Sequence, residues 1–360
     1  MIPSDEKKPL VFDLDHSVLE NYLSERGEPP FRVNQIWRGM YQSLWNNPDQ
    51  FTNLPNSLRC WLEEAFIWSN LEPGRLSESS DGETSKTQFY LPGKEAIEAV
   101  LMSYHRRNTL CISTQAGCAL GCVFCATGQM GFQRHLSSGE IIEQVLYIAR
   151  KLLTSGKRVT NVVFMGMGEP FLNYQNTMAA IQRLNHPDGF NLGQRRFTIS
   201  TVGIIPGILR FTQQDSQVNL AISLHAADDE LRSSLVPINR KYPITDLMSA
   251  CGEYIGKTNR RVSFEWALIN GLNDTEEQAN KLAGLLKPFR HTGSNLCHVN
   301  VIPLNPTYHY HRKATSTDRA RVFKSILENH GIPCTIRLRR GTDIMAGCGQ
   351  LASTKESPLI

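Results

Sequence analysis

The chain has 360 residues, 38 lysines and arginines against 34 acids, a formal charge of +4 and 41% hydrophobic residues. That suits one large domain, or a large one with a small companion, and it excludes a disordered chain or a disulfide-stapled miniprotein. No apolar run approaches the roughly 20 residues of a membrane span, and the N-terminal MIPSDEKKPL has no apolar signal core. A cytoplasmic protein with no membrane contact is therefore expected, and a charge this small leaves any nucleic-acid partner to be argued from local patches.

Residues 1–75 read as helical, with apolar residues at three- and four-residue spacing in LDHSVLENYLSERG, VNQIWRGMYQSLW and LPNSLRCWLEEAF. Pro29-Pro30 and Asn47-Pro48 punctuate them. LEPGRLSESSDGETSK shifts to Gly, Ser and charge, which suits a linker or exposed loop. TQFYL and AIEAVLMSY, parted by Pro92-Gly93-Lys94, read as a β-hairpin, so residues 76–103 form a linker with a hairpin.

Residues 104–350 alternate strand and helix. CISTQAG, RVTNVVFMGM, RRFTISTVG, VNLAISLHAA, RRVSFEWALI and CHVNVIPLN are β-rich. EIIEQVLYIARKLL, TMAAIQRLN, ITDLMSACGEYIG, EEQANKLAGLLK and DRARVFKSILENHG are helical, the first opened by a Ser137–Glu140 capping box. The apolar strands suit a parallel sheet covered by helices. About six units fall short of an eight-fold barrel. The expected fold is α/β, an open, partial β/α barrel with a small helical N-terminal accessory domain; a doubly wound sheet is the alternative.

Nine cysteines, an odd number, argue against a disulfide framework, and four of them crowd into Cys111–Cys125. Cys118, Cys122 and Cys125 stand at C-x3-C-x2-C after a strand. Three thiolates at this spacing hold three irons of a cubane cluster and leave the fourth free for a small molecule. Gly117 and Gly121 let the loop fold tightly. A structural zinc site needs a fourth ligand. His135 can be proposed for it, but lies on the way to a capped helix. Three buried structural thiols and a zinc knuckle for RNA are the other readings.

The triad resembles the radical S-adenosylmethionine signature, and Met165-Gly-Met-Gly-Glu169-Pro170 resembles that superfamily's Gly-Gly-Glu-Pro motif. Thr109-Leu-Cys111-Ile-Ser-Thr-Gln-Ala-Gly-Cys118, Cys125-Ala-Thr-Gly-Gln-Met-Gly-Phe132, Ser223-Leu-His225, Ile302-Pro-Leu-Asn305-Pro306 and Arg340-Gly-Thr-Asp-Ile-Met-Ala-Gly-Cys348-Gly-Gln350 together resemble adenosine methyltransferases of the RlmN/Cfr type. FRVNQIWRGMYQ is similar to that family's accessory domain.

The resemblance implies a [4Fe-4S] cluster on Cys118, Cys122 and Cys125, and S-adenosylmethionine held near Gly168, Glu169, Ser200, Ser223, Leu224, His225 and Asn305. Thr201 is a possible replacement for Ser200. It further implies Cys348 as a methyl carrier, Cys111 as the thiol that releases the product and leaves a disulfide, and Glu98 as a proton acceptor. Without that context, Glu98 is a strand residue, His225 a satisfied core histidine, and Cys111 and Cys348 small hydrophobes. Cys60, Cys251, Cys297 and Cys334 keep that last reading.

Adenine C2 and C8 are electron-poor carbons with no lone pair, so ordinary methyl transfer to them fails and a carbon radical succeeds. The implied partners are 23S ribosomal RNA, transfer RNA at the adenosine 3′ of the anticodon, an external electron donor and a thiol reductant, with the protein a monomer. His105-Arg106-Arg107, Arg195-Arg196, Arg260-Arg261, His309-Tyr-His-Arg312 and Arg337-Leu-Arg339-Arg340 offer phosphate contacts, and Trp37 with Arg38 a stacking group. The reading is a radical RNA methyltransferase acting on adenine C2. A C8-methylating relative, a non-catalytic metal-bound RNA-binding module and a radical enzyme acting on a protein or metabolite are the alternatives.

Overall fold

The computed structural model describes residues 8–291 and 294–352. Three helices come first, His16–Glu25, Phe31–Tyr41 and Asn56–Ala65. The first starts where the Asp15 carboxylate accepts the Val18 amide at 2.9 Å, satisfying one of the free N–H groups of a helix end. The apolar spacing puts Leu19 and Leu23, then Val33, Ile36, Trp37 and Met40, then Leu58 and Leu62, on buried faces. These residues join one hydrophobic core that continues through the sheet to Leu351.

The main sheet has ten strands: β1 (Glu72–Glu78), β2 (Thr84–Tyr90), β3 (Ala96–Tyr104), β4 (Arg107–Cys111), β5 (Asn161–Phe164), β6 (Phe197–Thr201), β7 (Asn219–Ser223), β8 (Val262–Leu268), β9 (Cys297–Pro303) and β10 (Cys334–Ile336). Their spatial order is their chain order. The pairs from β1 to β4 are antiparallel and form an apron. The pairs from β4 to β10 are parallel. A doubly wound sheet must reverse its order at a switch point; this one never does. It winds in one sense and stays open between β1 and β10, as a partial barrel.

Every parallel crossover carries a helix: Ser138–Leu153, Tyr174–Asn185, Ile205–Thr212, the pair Asp229–Leu235 and Ile244–Thr258, Glu276–Leu286, and Thr317–Asn329. The Ser137–Glu140 capping box is present. The helices cover the sheet, so the middle residues of β7 and β8 are buried.

Some elements differ from expectation. The stretch read as a linker contains β1, an edge strand whose residues are nearly all exposed, so it lacks the alternation that marks a half-buried strand. CISTQAG is not one strand. β4 ends at Cys111, and Gln115–Gly117 turns away to pair with Phe132–His135 in a separate ribbon.

Candidate active site

The C-terminal ends of the parallel strands converge on one cavity, as sites in β/α folds do. Its walls include Cys118, Cys122 and Cys125, Gly168 and Glu169, Ser200, Ser223, His225, Asn305 and Cys348. Ten residues drawn from six separated stretches of chain therefore meet at one place.

The cysteine loop is shaped by close backbone packing. Gly117 has φ +72°, and a Cβ there would stand 1.9 Å from the Gly131 carbonyl oxygen. That oxygen accepts the Cys118 amide at 2.9 Å, so glycine is what allows the loop to close on the ribbon. Burial pushes the Cys118 thiol up to about 12 and raises Cys122 and Cys125 as well. Without a cation these thiols keep their protons; binding iron would displace them. Among the described residues, no three His, Cys, Asp or Glu side chains converge tightly enough to share one metal ion. A four-iron cube takes each cysteine on a different iron, so its ligands stand apart. His135 bonds Gln115 at 3.0 Å and is absent from the cavity wall, which removes the fourth ligand of the zinc reading.

Glu169 follows Gly168, whose φ of +99° brings the chain against Gln115. The Gln115 Oε1 accepts the Glu169 amide at 2.8 Å. The carboxylate accepts the amides of Phe171 at 3.1 Å and Val202 at 3.0 Å, while burial pushes it up to about 7. Asn305 donates from Nδ2 to the Cys348 carbonyl at 3.1 Å, and its Oδ1 is buried without a partner. A buried acceptor left open in a cavity wall is where a ligand N–H or O–H belongs. The donor set thus fits a cluster together with a molecule bearing ammonium and carboxylate groups.

Ser200, not Thr201, faces this cavity: Ser200 Oγ lies 3.3 Å from Ser223 Oγ, whereas Thr201 is buried and accepts the amides of Gly203 and Ile204. His225 has φ +63°. Its Nδ1 accepts the Ala267 amide at 3.0 Å, its ring stands edge-on to Phe124, and burial lowers it to about 3, so it is neutral. Leu224 points into the core and is not part of the wall.

A second, larger cavity of about 750 Å³ adjoins the first, and Cys348, Glu265 and Asn305 line both. Cys111, at the end of β4, opens onto this larger space. Cys348 is open to the cavities yet lies deep in the molecule, and burial pushes its thiol up to about 11. Burial also raises the Cys111 thiol, with the nearby Cys348 sulfur adding to the effect. Arg107, Arg195, Arg260, Arg261, Arg337, Arg339 and Arg340 line the larger cavity, so four of the basic groups seen in the sequence meet there.

Other placements differ. Trp37 is 1% exposed and packs against Tyr41, His16 and His186, so it cannot stack on a base. Arg38 is bridged to Asp188 at 3.0 Å. Glu98 lies outside both cavity walls; its carboxylate meets Lys86 at 3.1 Å and the Ala352 amide at 3.1 Å.

Two residues, one in the cavity wall and one behind it, carried no sequence signal. Glu265 is buried in β8 with Oε1 accepting from Asn300 Nδ2 at 2.8 Å. Arg232 is fully buried and ties together the segments after β6 and β7. In the sequence each reads as one more charged residue of a strand or helix.

Residues 112–283 match the model of the radical SAM superfamily, and residues 11–67 that of the ribosomal RNA large subunit methyltransferase N-terminal domain. A probable dual-specificity RNA methyltransferase RlmN of Chloroflexus aurantiacus is 48% identical, covering 97% of this chain and 94% of the relative. A dual-specificity RNA methyltransferase RlmN 1 of Myxococcus xanthus is 45% identical, over 99% and 97%. The crystal structure of a radical SAM methyltransferase from Sphaerobacter thermophilus superposes with a TM-score of 0.91 at 47% identity, covering 95% of this chain and 99% of that one.

Proposed function

Because the chain belongs to the RlmN family of radical SAM RNA methyltransferases, we propose that it methylates adenine C2 in 23S ribosomal RNA and in transfer RNA by way of Cys348. The observation that carries this reading is the place of Cys348, on the wall shared by the cavity of the three cysteines and the arginine-lined cavity that holds Cys111. A thiol there can face a methyl source on one side and a base on the other.

Cys118, Cys122 and Cys125 would hold a [4Fe-4S] cluster. Glu169 and Asn305 would take the ammonium and carboxylate end of S-adenosylmethionine, with Gly168 giving close backbone approach. Ser200, Ser223 and His225, with the Leu224 backbone, would border the rest of it. When bound, the two supply a methyl group and the one-electron chemistry that an unreactive ring carbon requires.

Cys348 accepts and presents the methyl group. The arginines grip phosphates on either side of the target, and the adenine enters the larger cavity unstacked. The methylene carbon on the Cys348 sulfur bonds to the ring carbon, linking base and enzyme. The two thiols share that cavity, so Cys111 can attack the Cys348 sulfur and break its bond to that methylene. The methylene keeps the electron pair and takes a proton to become the methyl group of the released base. This leaves a Cys111–Cys348 disulfide, which an external thiol reductant reopens. Such reducing conditions fit the cytoplasm. Residues 1–75 serve as the accessory part beside the RNA, with the barrel and its Cys348 tail as the catalytic part.

The test combines two mass measurements. Enzyme isolated with its cluster should carry one extra methyl on Cys348, and digested RNA from cells expressing it should gain 2-methyladenosine. Cys348→Ala should stop turnover. An active Cys348→Ala enzyme overturns the carrier role, and 8-methyladenosine in place of 2-methyladenosine overturns the position of attack.

A further inference from the structure

One ion pair holds the loop that carries Cys348 at both of its flanks. Lys86 on β2 and Glu98 on β3 share a face of the apron: Lys86 is paired with Val100 and Glu98 with Gln88, so the two are diagonal neighbours. Their charges meet at 3.1 Å, with the side chains 13% and 6% exposed. Each group then makes one further bond, and both go to the C-terminal tail. Lys86 Nζ donates to the Met345 carbonyl at 3.1 Å, and Glu98 Oε2 accepts the Ala352 amide at 3.1 Å. Those two backbone groups bracket Cys348.

Between the brackets, the loop is tied to the parts that surround the chemistry. The Ala126 amide donates to the Gly349 carbonyl at 2.7 Å, and Thr127 Oγ1 to the Leu351 carbonyl at 2.6 Å. Both donors directly follow Cys125. Asn305 Nδ2 donates to the carbonyl of Cys348 itself at 3.1 Å. The apron therefore fixes where the loop starts and ends, and the cysteine loop with the exit of β9 fixes its middle.

A buried ion pair alone is weak ground for stability, because desolvation offsets the attraction. This pair is better explained by what it orients. Burial raises the Glu98 carboxyl while Lys86 opposes that rise. One carboxylate oxygen faces Lys86 and the other the Ala352 amide. The geometry assigns Glu98 a partner and a structural target, and it gives Lys86 a role that no sequence motif suggested. We propose that Lys86 is a positioning residue for methyl transfer, acting with Glu98 as a latch that sets the Cys348 loop between the two cavities. The proposal rests on the reading of Cys348 as the methyl carrier.

The test uses cluster-loaded enzyme under anaerobic conditions and four variants: Lys86→Met, Glu98→Gln, the double change, and Lys86→Arg. Hydrogen exchange of the segment 343–352 is measured together with kcat for RNA methylation and the intact mass of the protein. Each of the first two single changes should speed exchange of that segment by about tenfold, the scale set by losing a hydrogen bond to a charged group. Exchange in the helix Ile244–Thr258 should not change. Methylation should fall in parallel. The double variant should be no worse than the worse single one, because both changes open the same latch. Lys86→Arg should restore both readouts.

Wild-type exchange and methylation in Lys86→Met overturn the latch. So does Glu98→Gln if it loses methylation while exchange stays unaltered, for Glu98 would then be handling a proton alone. A Cys348→Ala enzyme that still methylates RNA removes the carrier, and the positioning role falls with it even if the exchange pattern stands.

Discussion

Arg232→Met should loosen the site from behind. Arg232 is 0% exposed, and burial lowers its guanidinium to about 10, so it remains charged at neutral pH. Nε donates to the Leu224 carbonyl at 3.0 Å, Nη1 to Asn239 Oδ1 at 2.7 Å, and Nη2 to the carbonyls of Val202 at 2.6 Å and Ser223 at 3.3 Å. The Leu224 carbonyl keeps a second donor, the Ala226 amide at 2.9 Å. The Val202 carbonyl and Asn239 Oδ1 depend on the guanidinium. Two buried acceptors left bare, at about 1–3 kcal/mol each, give a loss of about 4 kcal/mol. With a denaturant slope of about 3 kcal/mol per molar, the urea midpoint should fall by about 1 M or more. Val202, Ser223 and His225 also line the cavity proposed for S-adenosylmethionine, so that molecule should bind more weakly by equilibrium dialysis. A midpoint within about 0.2 M of the wild type, with unchanged binding, refutes the role given to the guanidinium.

Two further substitutions test other parts of the chain. Gly117→Ala must displace the Gly131 carbonyl, which a Cβ would approach to 1.9 Å, so iron and sulfide content should collapse. Gly121→Ala, at φ +62° with nothing within 4 Å, carries only about 1–2 kcal/mol of backbone strain and should keep its cluster; equal iron in both refutes the close-packing account. Glu143 accepts the Asn70 amide at 3.0 and 3.2 Å, and burial pushes its carboxyl from 4.5 up to about 7. A raised folded value means that its contribution is complete below about pH 4.5 and is lost as pH rises to about 7, an effect of up to about 3 kcal/mol. Glu143→Gln accepts the same amide without titrating. It should unfold at a higher urea concentration than the wild type near pH 8, and at nearly the same one near pH 5; an equal gain at both values refutes the assignment.

The meeting of Cys118, Cys122 and Cys125 on one wall was readable because their loop is local: their spacing and the glycines beside them lie within one short run of sequence. The long amphipathic helices were readable for a similar reason, since a 3.6-residue period is written into each of them. β1 was not readable, because an exposed edge strand containing Pro73 and Gly74 has no apolar alternation and owes its form to pairing with β2. The short helix Ile205–Thr212 was missed because Pro206-Gly207 reads as a turn, although proline is well placed in a helix's first turn. The helix Asp229–Leu235 and the three-residue β10 are too short to show a period. Within the site, the resemblance supplied residues that face the cavities, Leu224 and Glu98 excepted, but it did not supply Lys86 or Arg232, which act from behind. Lys86, Arg232 and Glu265 owe their importance to neighbours far away in the chain, and no local pattern marks them.

The ten strands stand side by side in the order in which a ribosome would release them. Each new strand finds its neighbour already made, so the sheet can grow from its first hairpin without waiting for a distant segment. The stretch that carries Cys348 emerges after all ten strands, and it docks on β2 and β3, among the first strands made. A chain cut short during synthesis just before that stretch would have its whole sheet and Cys118, Cys122 and Cys125, yet would lack Cys348.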